Sequence, residues 1–475
     1  MNSINLSMLC DFYEFTMSGG FLQSGLYKRN TYFDMFFRTV PDKGGFAIAA
    51  GLEQAVEYIE HLHFNDADVE FLRSKKLFDE RFLSYLKTFR FTGDIYAVPE
   101  GTPIFPNEPV MIVHAPAIEA QLIETFVLLA SNHQSLIATK ANRIVRAAQG
   151  RAVLEFGSRR AQGADGAVIG ARAAYIGGCV GTSCTLADEL FSVPAGGTMA
   201  HSWVQMFDNE YEAFRTYCEY YPNNATLLVD TYNTLKSGVP NAIRAIKDSD
   251  IKDCAIRLDS GDISYLSKEA RRMLDNAGLH NCKILASNSL DEYLIRELIM
   301  QGAKIDVFGV GERLITAKSD PVFGGVYKLT AIEDGSGGIV PKIKVSENIS
   351  KITNPHFKKL YRFFDKESGM AIADELCVYD EVIDEGIPHT IFDPDATWKK
   401  TTLTNFTAKE LLIPIFKKGK RVYELPSIEH IKSYCAQQVN LLWDEVKRFE
   451  NPHTYYVDLS QKLWDIKWQL LRDSV

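Results

Sequence analysis

The chain lacks the features that would assign it to a secreted or membrane class. Its 8 cysteines are scattered and no two of them are spaced CxxC, so neither a disulfide framework nor a zinc site is indicated. No uncharged apolar run reaches the length of about 18 residues that a membrane helix needs, and the start, MNSINLSMLCDFYEF, is not basic. We therefore expect no membrane span, no signal peptide and a cytoplasmic protein with reduced thiols.

An excess of positive charge is also missing. The sequence has 61 acidic and 52 basic residues, a formal net charge of −9, which argues against nucleic acid or an anionic membrane as a partner. The motif GxxxxGK[ST] is absent, so a P-loop ATP site is not indicated. Anionic small molecules stay open as ligands, provided that the fold gathers positive groups locally.

What is present is the composition of a soluble globular protein and a strand–helix repeat. The 475 residues are 46% hydrophobic and 24% charged. From Leu154 onward, apolar runs that end in polar or glycine-rich turns alternate with helix-like segments, which predicts a parallel sheet covered on both faces. The turns would lie at the carboxyl ends of the strands, where β/α barrels and doubly wound sheets both build active sites. The periodicity does not distinguish these two folds.

The predicted organisation has three parts. Residues 1–150 indicate an N-terminal α/β domain, with a small β region at FTGDIYAVPEGTPIFPNEPVMIVHAP and then one or two long helices. Residues 151–345 contain the strand–helix repeat. Residues 346–475 indicate a return to the N-terminal domain and a C-terminal helical cap, with amphipathic segments at SIEHIKSYCAQQVNLLWDEVKRFE and SQKLWDIKWQLLRD.

Three loops that follow apolar runs have an anion-binding composition. They are LDSGD (258–262), SNSLDE (287–292) and FGVGERL (308–314). Glycine lets backbone N–H groups approach an anion, and the capping residues of SNSLDE predict a helix whose first N–H groups face the pocket. A single glycine turn is ordinary, so the argument depends on three such loops at one edge. Asp259 and Asp262 are candidates to hold Mg²⁺ beside a pyrophosphate, with structural ion pairs as the alternative.

The segment FGSRRAQG (156–163) places Arg159 and a second arginine directly after a strand. With Phe156 close by, this pattern suits a flat anionic ligand, because a ring can stack on it while a guanidinium pairs with a carboxylate or phosphate. Arg257 repeats the arrangement on another strand. The alternative is a solvated basic surface, which adjacent arginines also form.

Two further segments have a notable residue in an unusual setting. GTMAHS (197–202) places His201 in a polar, glycine-rich turn, although the chain has only 10 histidines. A core histidine is normally flanked by apolar residues, so we interpret His201 as presented to a ligand, with a hydrogen-bonded loop residue as the alternative. DFYEFTM (11–17) places Tyr13 among other aromatics and, taken alone, predicts a core-facing helix.

Taken in order, these motifs resemble the nicotinate phosphoribosyltransferase family closely. The series, which covers roughly residues 8–345, is DFYEFTM, FFRTVP, EGTPIFPNEP, FGSRRAQG, GGCVGTSC, GTMAHS, DTYNT, RLDSGD, SNSLDE, FGVGERL and VYKL. Single motifs are weak but the ordered set is specific, and the tail resembles the long form of the family. The resemblance implies an irregular, TIM-like β/α barrel with an N-terminal α/β domain and a C-terminal helical extension. It also implies a homodimer with shared active sites.

The resemblance implies a reaction as well. Nicotinate would be joined to phosphoribosyl pyrophosphate, giving nicotinate mononucleotide and pyrophosphate for NAD biosynthesis. Mg²⁺ would be the cofactor, and ATP would be hydrolysed as a co-substrate. His201 would become a phosphohistidine, and Asp259 would be catalytic with an indirect part in holding Mg²⁺.

The remaining contacts that the resemblance implies form two groups. The nicotinate group, in which Tyr13 would come from the partner subunit, is Tyr13, Phe156, Arg159, Ser183, Thr198 and Arg257. The group that would bind the phosphates of phosphoribosyl pyrophosphate is Gly261, Asp262, Ser287, Asn288, Gly309, Gly311 and Thr316.

Ser183 in GTSC favours nicotinate over nicotinamide. The related nicotinamide phosphoribosyltransferases have an aspartate there, which would accept a hydrogen bond from an amide and repel a carboxylate. Use of nicotinamide stays as an alternative. A catalytically silent phosphosugar-binding protein of the same fold is another, but it would be expected to lose His201, Arg257 or Asp259, and none is lost. An unrelated barrel isomerase or aldolase would need a base such as lysine at the end of a strand, whereas Lys283 begins one.

Two positions depart from the family pattern. Glu312 follows GVG, where many members have threonine, and an acid beside a phosphate loop would need to face Arg313 or a metal. The tripeptide NPH at 354–356 replaces a Pro-Gly turn, which predicts an altered 350–358 loop.

Overall fold

A computed structural model describes residues 5–348 and 351–474, which form two compact units. The first unit is built from the described residues up to Leu136 and from Val322 onwards, and the second is Ile137–Pro321. The boundaries predicted from the sequence lie at 150 and 345. None of the helices in the described part of the chain is long and apolar enough to cross a membrane.

The α-helices are α1 (Phe12–Gln23), α2 (Leu52–His61), α3 (Asp66–Ser74), α4 (Glu80–Lys87), α5 (Ala117–Gln121), α6 (Glu124–Ala147), α7 (Gly163–Ile176), α8 (Thr185–Phe191), α9 (His201–Gln205), α10 (Glu210–Tyr220), α11 (Val239–Asp248), α12 (Ile263–Asn276), α13 (Glu292–Met300), α14 (Glu312–Ile315), α15 (Ile428–Asn440) and α16 (Gln461–Asp473). The strands are β1 (Asn30–Phe36), β2 (Ala47–Ile48), β3 (Asp94–Ala97), β4 (Pro103–Ile104), β5 (Met111–Pro116), β6 (Ala152–Glu155), β7 (Gly181–Thr182), β8 (Ala225–Leu228), β9 (Cys254–Leu258), β10 (Lys283–Ser287), β11 (Val307–Val310), β12 (Val326–Glu333), β13 (Ile339–Pro341), β14 (Lys358–Asp365), β15 (Ala371–Val378), β16 (His389–Phe392), β17 (Lys400–Leu403), β18 (Phe406–Glu410), β19 (Ile413–Lys417), β20 (Lys420–Arg421) and β21 (Val457–Leu459).

The second unit contains one parallel sheet in the order β7-β6-β11-β10-β9-β8. Its interior is apolar: Ile256 on β9 is in register with Ile284 on β10, and both are fully buried. Ala245 of α11 and Leu274 of α12 belong to the same apolar cluster. Burying one such aliphatic side chain stabilises the fold by about 1.5–3 kcal/mol, which is why the strands are apolar and the polar residues are at their ends.

The predicted parallel strand–helix repeat is confirmed, but a closed barrel is not. Among the described residues β7 and β8 are the outer strands of the sheet, so strand pairing leaves it open. β7 has only two residues, and the stretch that follows α8 contributes a single bridge between Thr182 and Ala195. The sequence there, SVPAGGTMA, is rich in glycine and proline and lacks the apolar alternation of a further strand.

The first unit contains an antiparallel sheet in the order β13-β12-β1-β5-β3-β19-β20. Its interior strand β1 pairs with β5 on one side and with β12 on the other. The Thr330 hydroxyl on β12 thus contacts Asp34 Oδ1 on β1 at 3.2 Å, across 296 residues of chain. A second sheet, β18-β14-β15-β21, and the pairs β16-β17 and β2-β4 complete the unit.

The NPH tripeptide curls around a buried ammonium group in the first unit. Lys358 Nζ lies 2.9 Å from Asp34 Oδ2, and both side chains are buried. The same Nζ donates to the carbonyl oxygens of Asn354, Pro355 and His356 at 3.0, 3.2 and 2.6 Å. The course of the 354–356 turn is therefore set by Lys358; position 350 lies outside the described residues.

Several helices begin at side-chain caps that the sequence also contains. At α3 the Asn65 side chain accepts from the Asp68 N–H while Asp68 accepts from the Asn65 N–H, a capping box. Ser427 and Ser460 cap α15 and α16, and each such cap contributes roughly 1 kcal/mol. The two amphipathic segments near the C-terminus are confirmed as helices, although the first ends at Asn440.

Candidate active site

The candidate site lies at the carboxyl-terminal edge of the parallel sheet. β6, β9, β10 and β11 all end there, because the strands of a parallel sheet share one direction. The segments FGSRRAQG, RLDSGD, SNSLDE and FGVGERL follow or contain these strand ends. The predicted meeting of polar turns at one edge of the sheet is thus confirmed.

Arg257 is the centre of the site, and its side chain is only 14% exposed. Nε donates to Ser287 Oγ at 2.8 Å, and the two terminal nitrogens donate to Thr198 Oγ1 at 2.9 Å and to Asp259 Oδ1 at 2.8 Å. The guanidinium also lies 5.7 Å from the ring centroid of Phe156. These bonds use three of the five N–H groups of the fork, so two stay available for a carboxylate or phosphate.

Asp259 orients Arg257 and is itself held by Asp230. The Ser287 hydroxyl donates to Asp259 Oδ1. The Asp259 N–H and the Ser260 hydroxyl donate to Asp230 Oδ2 at 2.8 and 2.6 Å. The other oxygen, Asp230 Oδ1, is buried and has no hydrogen-bond partner among the described residues. A buried carboxylate oxygen without a partner is costly, which marks it as a contact point for a ligand hydroxyl or a bound water.

Asp230 was not among the predicted site residues, and its position in the site is a finding of the structure. The available signal was its place in DTYNT, directly after an apolar run. Thr231, the next residue of this motif, also contributes to the site, because its hydroxyl contacts His201.

His201 begins α9 and belongs to the same hydrogen-bonding neighbourhood. Its Nδ1 lies 3.1 Å from Thr231 Oγ1, and its Nε2 lies 3.9 Å from Asp259 Oδ2. When Nδ1 carries the proton and donates it to Thr231, Nε2 keeps its lone pair. The side chain is 41% exposed, so Nε2 is open to an approaching group.

Phe156 rests on a glycine of the neighbouring strand. A Cβ placed on Gly309 would lie 2.6 Å from Phe156 Cδ2, and one on Gly311 would lie 3.1 Å from the Phe156 carbonyl oxygen. Any side chain at 309 would displace the ring, so this glycine is required for ring packing. That is a different reason from the predicted approach of a phosphate to the backbone, which stays a prediction.

Glu155 fixes the loop that carries the Phe156 ring and was missed by the sequence analysis. Its buried carboxylate accepts from Thr182 Oγ1 at 2.6 Å and from the Gly157 N–H. Burial raises the pKa of Glu155, and these two hydrogen bonds oppose the rise. The Glu155 carbonyl accepts from the Ser183 N–H at 2.8 Å, so one residue positions both the ring loop and Ser183. The Ser183 hydroxyl is exposed and lies 3.4 Å from Ser158 Oγ.

In the LDSGD loop, Gly261 and Asp262 shape the turn into α12. Gly261 has φ +77°, in the left-handed region that favours glycine, and a Cβ there would lie 2.9 Å from Leu266 Cδ1. Asp262 is the N-cap of α12, and its carboxylate accepts from the Tyr265 N–H at 2.9 Å. Asp262 thus has a structural role in addition to its predicted ligand role.

Asn288, Thr316 and Arg159 lie at the same edge of the sheet. Asn288 follows β10 with φ +86°, a conformation that is uncommon for residues other than glycine. The Thr316 hydroxyl donates to the Glu312 carbonyl oxygen at 2.8 Å, which leaves its oxygen as an acceptor. Arg159 is exposed in the turn after β6. No contact among the described residues gives these three side chains a ligand role, so those roles stay predictions.

The N-terminus of α13 is capped from within the loop. Asp291 Oδ1 accepts from the N–H groups of Tyr293 and Leu294 at 3.1 and 2.9 Å, and Arg313 donates to Asp291 Oδ2. The prediction that the first N–H groups of this helix face the pocket is therefore wrong for these two amides, because the Asp291 carboxylate occupies them.

Glu312 is neutralised by a lysine. Lys318 Nζ lies 2.6 Å from Glu312 Oε1, and this hydrogen bond is the main cause that lowers the pKa of Glu312. Arg313, one of the two partners considered from the sequence, is engaged by Asp291 instead. The negative charge of Glu312 is thus compensated by Lys318, which follows it in the same segment of the chain.

The predicted core-facing helix is confirmed as α1 in the first unit, but Tyr13 itself is 45% exposed. Phe15, two residues further along the helix, is the aromatic that faces the core. An exposed tyrosine is compatible with the contact that the resemblance implies from a partner subunit, and that contact stays a prediction.

Within residues 5–348 and 351–474, no three His, Cys, Asp or Glu side chains are grouped to hold a metal ion. Asp259 and Asp230 are the carboxylates closest to the Arg257 network. Mg²⁺ usually binds to one or two carboxylates and completes its shell with water and substrate phosphates, which fits this donor set.

Comparisons with known proteins agree with the motifs. Family models for the nicotinate phosphoribosyltransferase N-terminal domain and C-terminal domain match residues 8–132 and 357–467. Nicotinate phosphoribosyltransferase from Bacillus subtilis is 44% identical over 471 residues, which is 99% of this chain and 96% of that protein. The Dictyostelium discoideum nicotinate phosphoribosyltransferase is 34% identical and covers 100% of this chain and 90% of its own.

The fold leads to the same family. The crystal structure of human nicotinic acid phosphoribosyltransferase matches with a TM-score of 0.85 and 27% sequence identity, over 98% of this chain and 100% of that one. The similarity therefore extends through both units and is not limited to the motif-bearing loops. The chain belongs to the nicotinate phosphoribosyltransferase family.

Proposed function

We propose that this chain joins nicotinate to phosphoribosyl pyrophosphate, releasing nicotinate mononucleotide and pyrophosphate, and couples the reaction to ATP. The observation that carries the proposal is the Arg257 fork, held by Thr198, Ser287 and Asp259 next to the Phe156 ring. An aromatic surface beside a fixed guanidinium fits an aromatic carboxylate. The named activity of relatives that match almost the whole chain supports the same reaction.

Nicotinate would stack on Phe156 with its carboxylate towards the free N–H groups of Arg257. Thr198, Arg159 and Ser183 would complete this subsite. The partner subunit's Tyr13 would cover the opposite face of the pyridine ring. This arrangement lowers the barrier mainly by holding two reactants in line, so that the ring nitrogen faces the anomeric carbon of the ribose.

In the transfer step the pyridine nitrogen forms a bond to the anomeric carbon. The bond from that carbon to the pyrophosphate oxygen breaks, and its electron pair leaves with pyrophosphate. The nitrogen lone pair carries no proton, so the chain needs no general base for this step. The phosphates would be bound by the loops containing Gly261, Asp262, Ser287, Asn288, Gly309, Gly311 and Thr316, whose N–H and hydroxyl groups would stabilise the departing charge.

Mg²⁺ is the metal that we propose for this site. Asp259 would hold it indirectly, through water, and Asp230 Oδ1 is a second acceptor for such a water. When bound, the ion would neutralise charge on the departing pyrophosphate. The chain's own contribution is to fix the two carboxylates: the Asp259 N–H and the Ser260 hydroxyl hold that of Asp230, and Arg257 and Ser287 hold that of Asp259.

We propose that His201 is phosphorylated by ATP. The Nε2 lone pair would form a bond to the γ-phosphorus while the bond to the bridging oxygen breaks, and ADP leaves with that electron pair. Water would later cleave the nitrogen–phosphorus bond, releasing phosphate. The contact between Nδ1 and the Thr231 hydroxyl supports this role, because the tautomer in which Nδ1 donates to Thr231 leaves the Nε2 lone pair free.

The quaternary structure and the closure of the sheet belong to the same proposal. We propose that the open parallel sheet is the strand wall of the irregular, TIM-like barrel and that the active form is a homodimer with shared sites. The shared direction of the six strands supports the barrel, because a β/α barrel is built from parallel strands, and the exposure of Tyr13 supports a contact with a second subunit.

An activity assay with and without ATP tests the function. Nicotinate, phosphoribosyl pyrophosphate and Mg²⁺ should give nicotinate mononucleotide, and ATP should raise the yield. His201→Ala should keep the fold, judged by circular dichroism, and lose the stimulation by ATP. Ser202→Ala, the exposed neighbour on the same helix, should keep it. Absence of product at every ATP concentration would refute the activity, and full stimulation of His201→Ala would refute the phosphohistidine.

A further inference from the structure

A second polar cavity lies at the opposite, amino-terminal edge of the parallel sheet. Its volume is about 540 Å³, within the range of small-molecule sites. Three segments that each precede a strand line it: 150–152 before β6, 280–283 before β10 and 302–306 before β11. The whole cavity belongs to the second unit, and β10 and β11 run from it to the candidate active site.

The cavity is lined by cations in a chain whose net charge is −9. Arg151, Lys283 and Lys304 line it, and none of them makes an ion pair within the described part of the chain. Asp306 is the one acidic residue among the described residues that line the cavity. Like charges gathered in a concave site raise the local potential, and they attract an anion of more than one charge.

The wall that carries Lys283 is held rigidly by Arg271. This guanidinium pairs with Asp275 at 2.8 Å and donates to the carbonyl oxygens of Leu279 and Cys282 at 2.6 Å each. The loop between α12 and β10 is thus fixed at both of its ends. Lys283 follows directly, so its backbone position is set before any ligand arrives.

The wall that carries Lys304 is held in a comparable way by Arg151. Its guanidinium donates to the carbonyl oxygens of Ile305 and Ala148 at 3.0 and 3.3 Å. Asp306 Oδ2 accepts from the Ile284 N–H at 2.8 Å, which ties this loop to β10. The lysine-bearing segments are therefore preorganised relative to each other, a condition that reduces the entropic cost of binding.

We propose that this cavity binds a phosphate-bearing small molecule of about nucleotide size. Lysine ammonium groups act as point charges for phosphate, and the available cations outnumber the single carboxylate. The exposed amide of Asn281 and the imidazole of His280 also line the cavity and can recognise polar groups beyond the phosphates.

The test is calorimetric titration of the full-length chain with inorganic pyrophosphate. Arg257→Ala serves as the background, because it removes the central cation of the candidate active site. Binding should persist in that background and weaken at least 10-fold when Lys283→Ala and Lys304→Ala are added. The matched control adds Lys247→Ala and Lys252→Ala, two exposed lysines of the same unit that do not line the cavity. Loss of all binding in Arg257→Ala, or equal weakening by both pairs, would overturn the proposal.

A labelling experiment on the unaltered protein covers the case in which a variant fails to fold. Pyridoxal 5′-phosphate forms an imine with lysines beside a phosphate-binding site, and borohydride reduction fixes the label for peptide mapping. Lys283 or Lys304 should be labelled at least 5-fold faster than Lys247 and Lys252, and pyrophosphate should protect them. Equal labelling of the four lysines, or no protection, would contradict the proposal.

Discussion

Each unit of the chain contains a close arginine–aspartate pair, and the two pairs differ in their surroundings. Arg362 on β14 and Asp374 on β15 are 1% and 0% exposed, with donor–acceptor distances of 2.8 and 2.6 Å. Arg257 and Asp259, at the end of β9, are 14% and 29% exposed and 2.8 Å apart. The charges and distances are alike, so the difference lies in what else each pair contacts.

The buried pair is enclosed by the chain. Arg362 also donates to the Pro103 carbonyl oxygen at 2.9 Å and lies over the rings of Phe105 and Tyr455. The Tyr455 hydroxyl donates to Asp374 Oδ1 at 2.9 Å. The strand-end pair is partly exposed, so a ligand can reach the remaining N–H groups of Arg257. The comparison indicates that an enclosed ion pair holds a fold together, whereas a pair that a ligand can reach is arranged for binding.

Arg362→Ala should give the largest effect. It would leave the Asp374 carboxylate buried without its charged partner, and breaking a buried pair in this way costs roughly 3–5 kcal/mol. Urea unfolding measures the loss. Arg257→Ala is the matched control from the other unit and should lose less than about 1 kcal/mol, since water can reach the remaining carboxylate. Similar losses of unfolding free energy in the two variants would show that the two ion pairs contribute equally to stability.

Arg257→Ala should instead reduce activity. We expect kcat/KM for nicotinate to fall on the order of 100-fold, about 3 kcal/mol, because the carboxylate-binding fork is lost. The kcat/KM of Arg257→Lys should lie between those of Arg257→Ala and the unaltered protein, since an ammonium keeps the charge but not the planar fork. Arg244→Ala, an exposed arginine on α11, is the control. An unchanged kcat/KM in Arg257→Ala would show that the free donors do not serve nicotinate.

Ser183→Asp should change substrate preference. A carboxylate at this position would repel nicotinate and accept a hydrogen bond from an amide. The ratio of nicotinate to nicotinamide use should therefore fall about 10-fold, or about 1.4 kcal/mol. Steady-state rates with both substrates measure it. Ser183→Asn has nearly the same shape without the charge, and if it shifts the ratio equally, charge is not the basis of selection.

The smallest effect is expected from a buried acid of the first unit. Asp458 on β21 lies in register with Glu375 on β15. Burial, and then the charges of Glu375 and Asp393, raise the pKa of Asp458 to about 7. A raised pKa in the folded state means that the stabilising contribution is complete below pH 4 or so and is lost as the pH rises through about 7.

Asp458→Asn tests this dependence. In urea unfolding, the unaltered protein should be less stable at pH 8 than at pH 5, and Asp458→Asn should remove roughly 1 kcal/mol of that difference. His389, whose pKa is raised by its hydrogen bond to Glu375, acts in the same direction, so the comparison between variant and parent is the informative quantity. Asp465→Asn, an exposed acid on α16, should leave the dependence unchanged.

The strand–helix repeat and the gathering of strand-end residues could be predicted because both follow from local patterns. Apolar runs and amphipathic segments are visible within windows of a few residues, and parallel strands necessarily bring their carboxyl ends together. Arg257, Ser287 and Thr198 therefore meet as the motifs suggested.

The rest depends on contacts that a pattern does not encode. Glu155 lies at the end of an apolar run, and nothing in its immediate sequence shows that Thr182 and Gly157 would satisfy its carboxylate. Capping aspartates such as Asp291 look like ligand aspartates in the sequence, since both precede a helix. Closure of the barrel depends on strand pairing between distant segments, and the short β7 could not be anticipated from composition.

The position of β1 in its sheet has a consequence for synthesis of the chain. β1 ends at Phe36 but its neighbour β12 begins only at Val326, after the whole second unit. At ribosomal rates of about 5–20 residues per second, β1 waits for roughly tens of seconds with one edge unpaired. An unpaired edge is a template for aggregation, so nascent chains and products truncated before β12 would expose an edge of β1 that is paired in the complete sheet. Expression of the isolated N-terminal region would thus be limited by solubility before stability is measured.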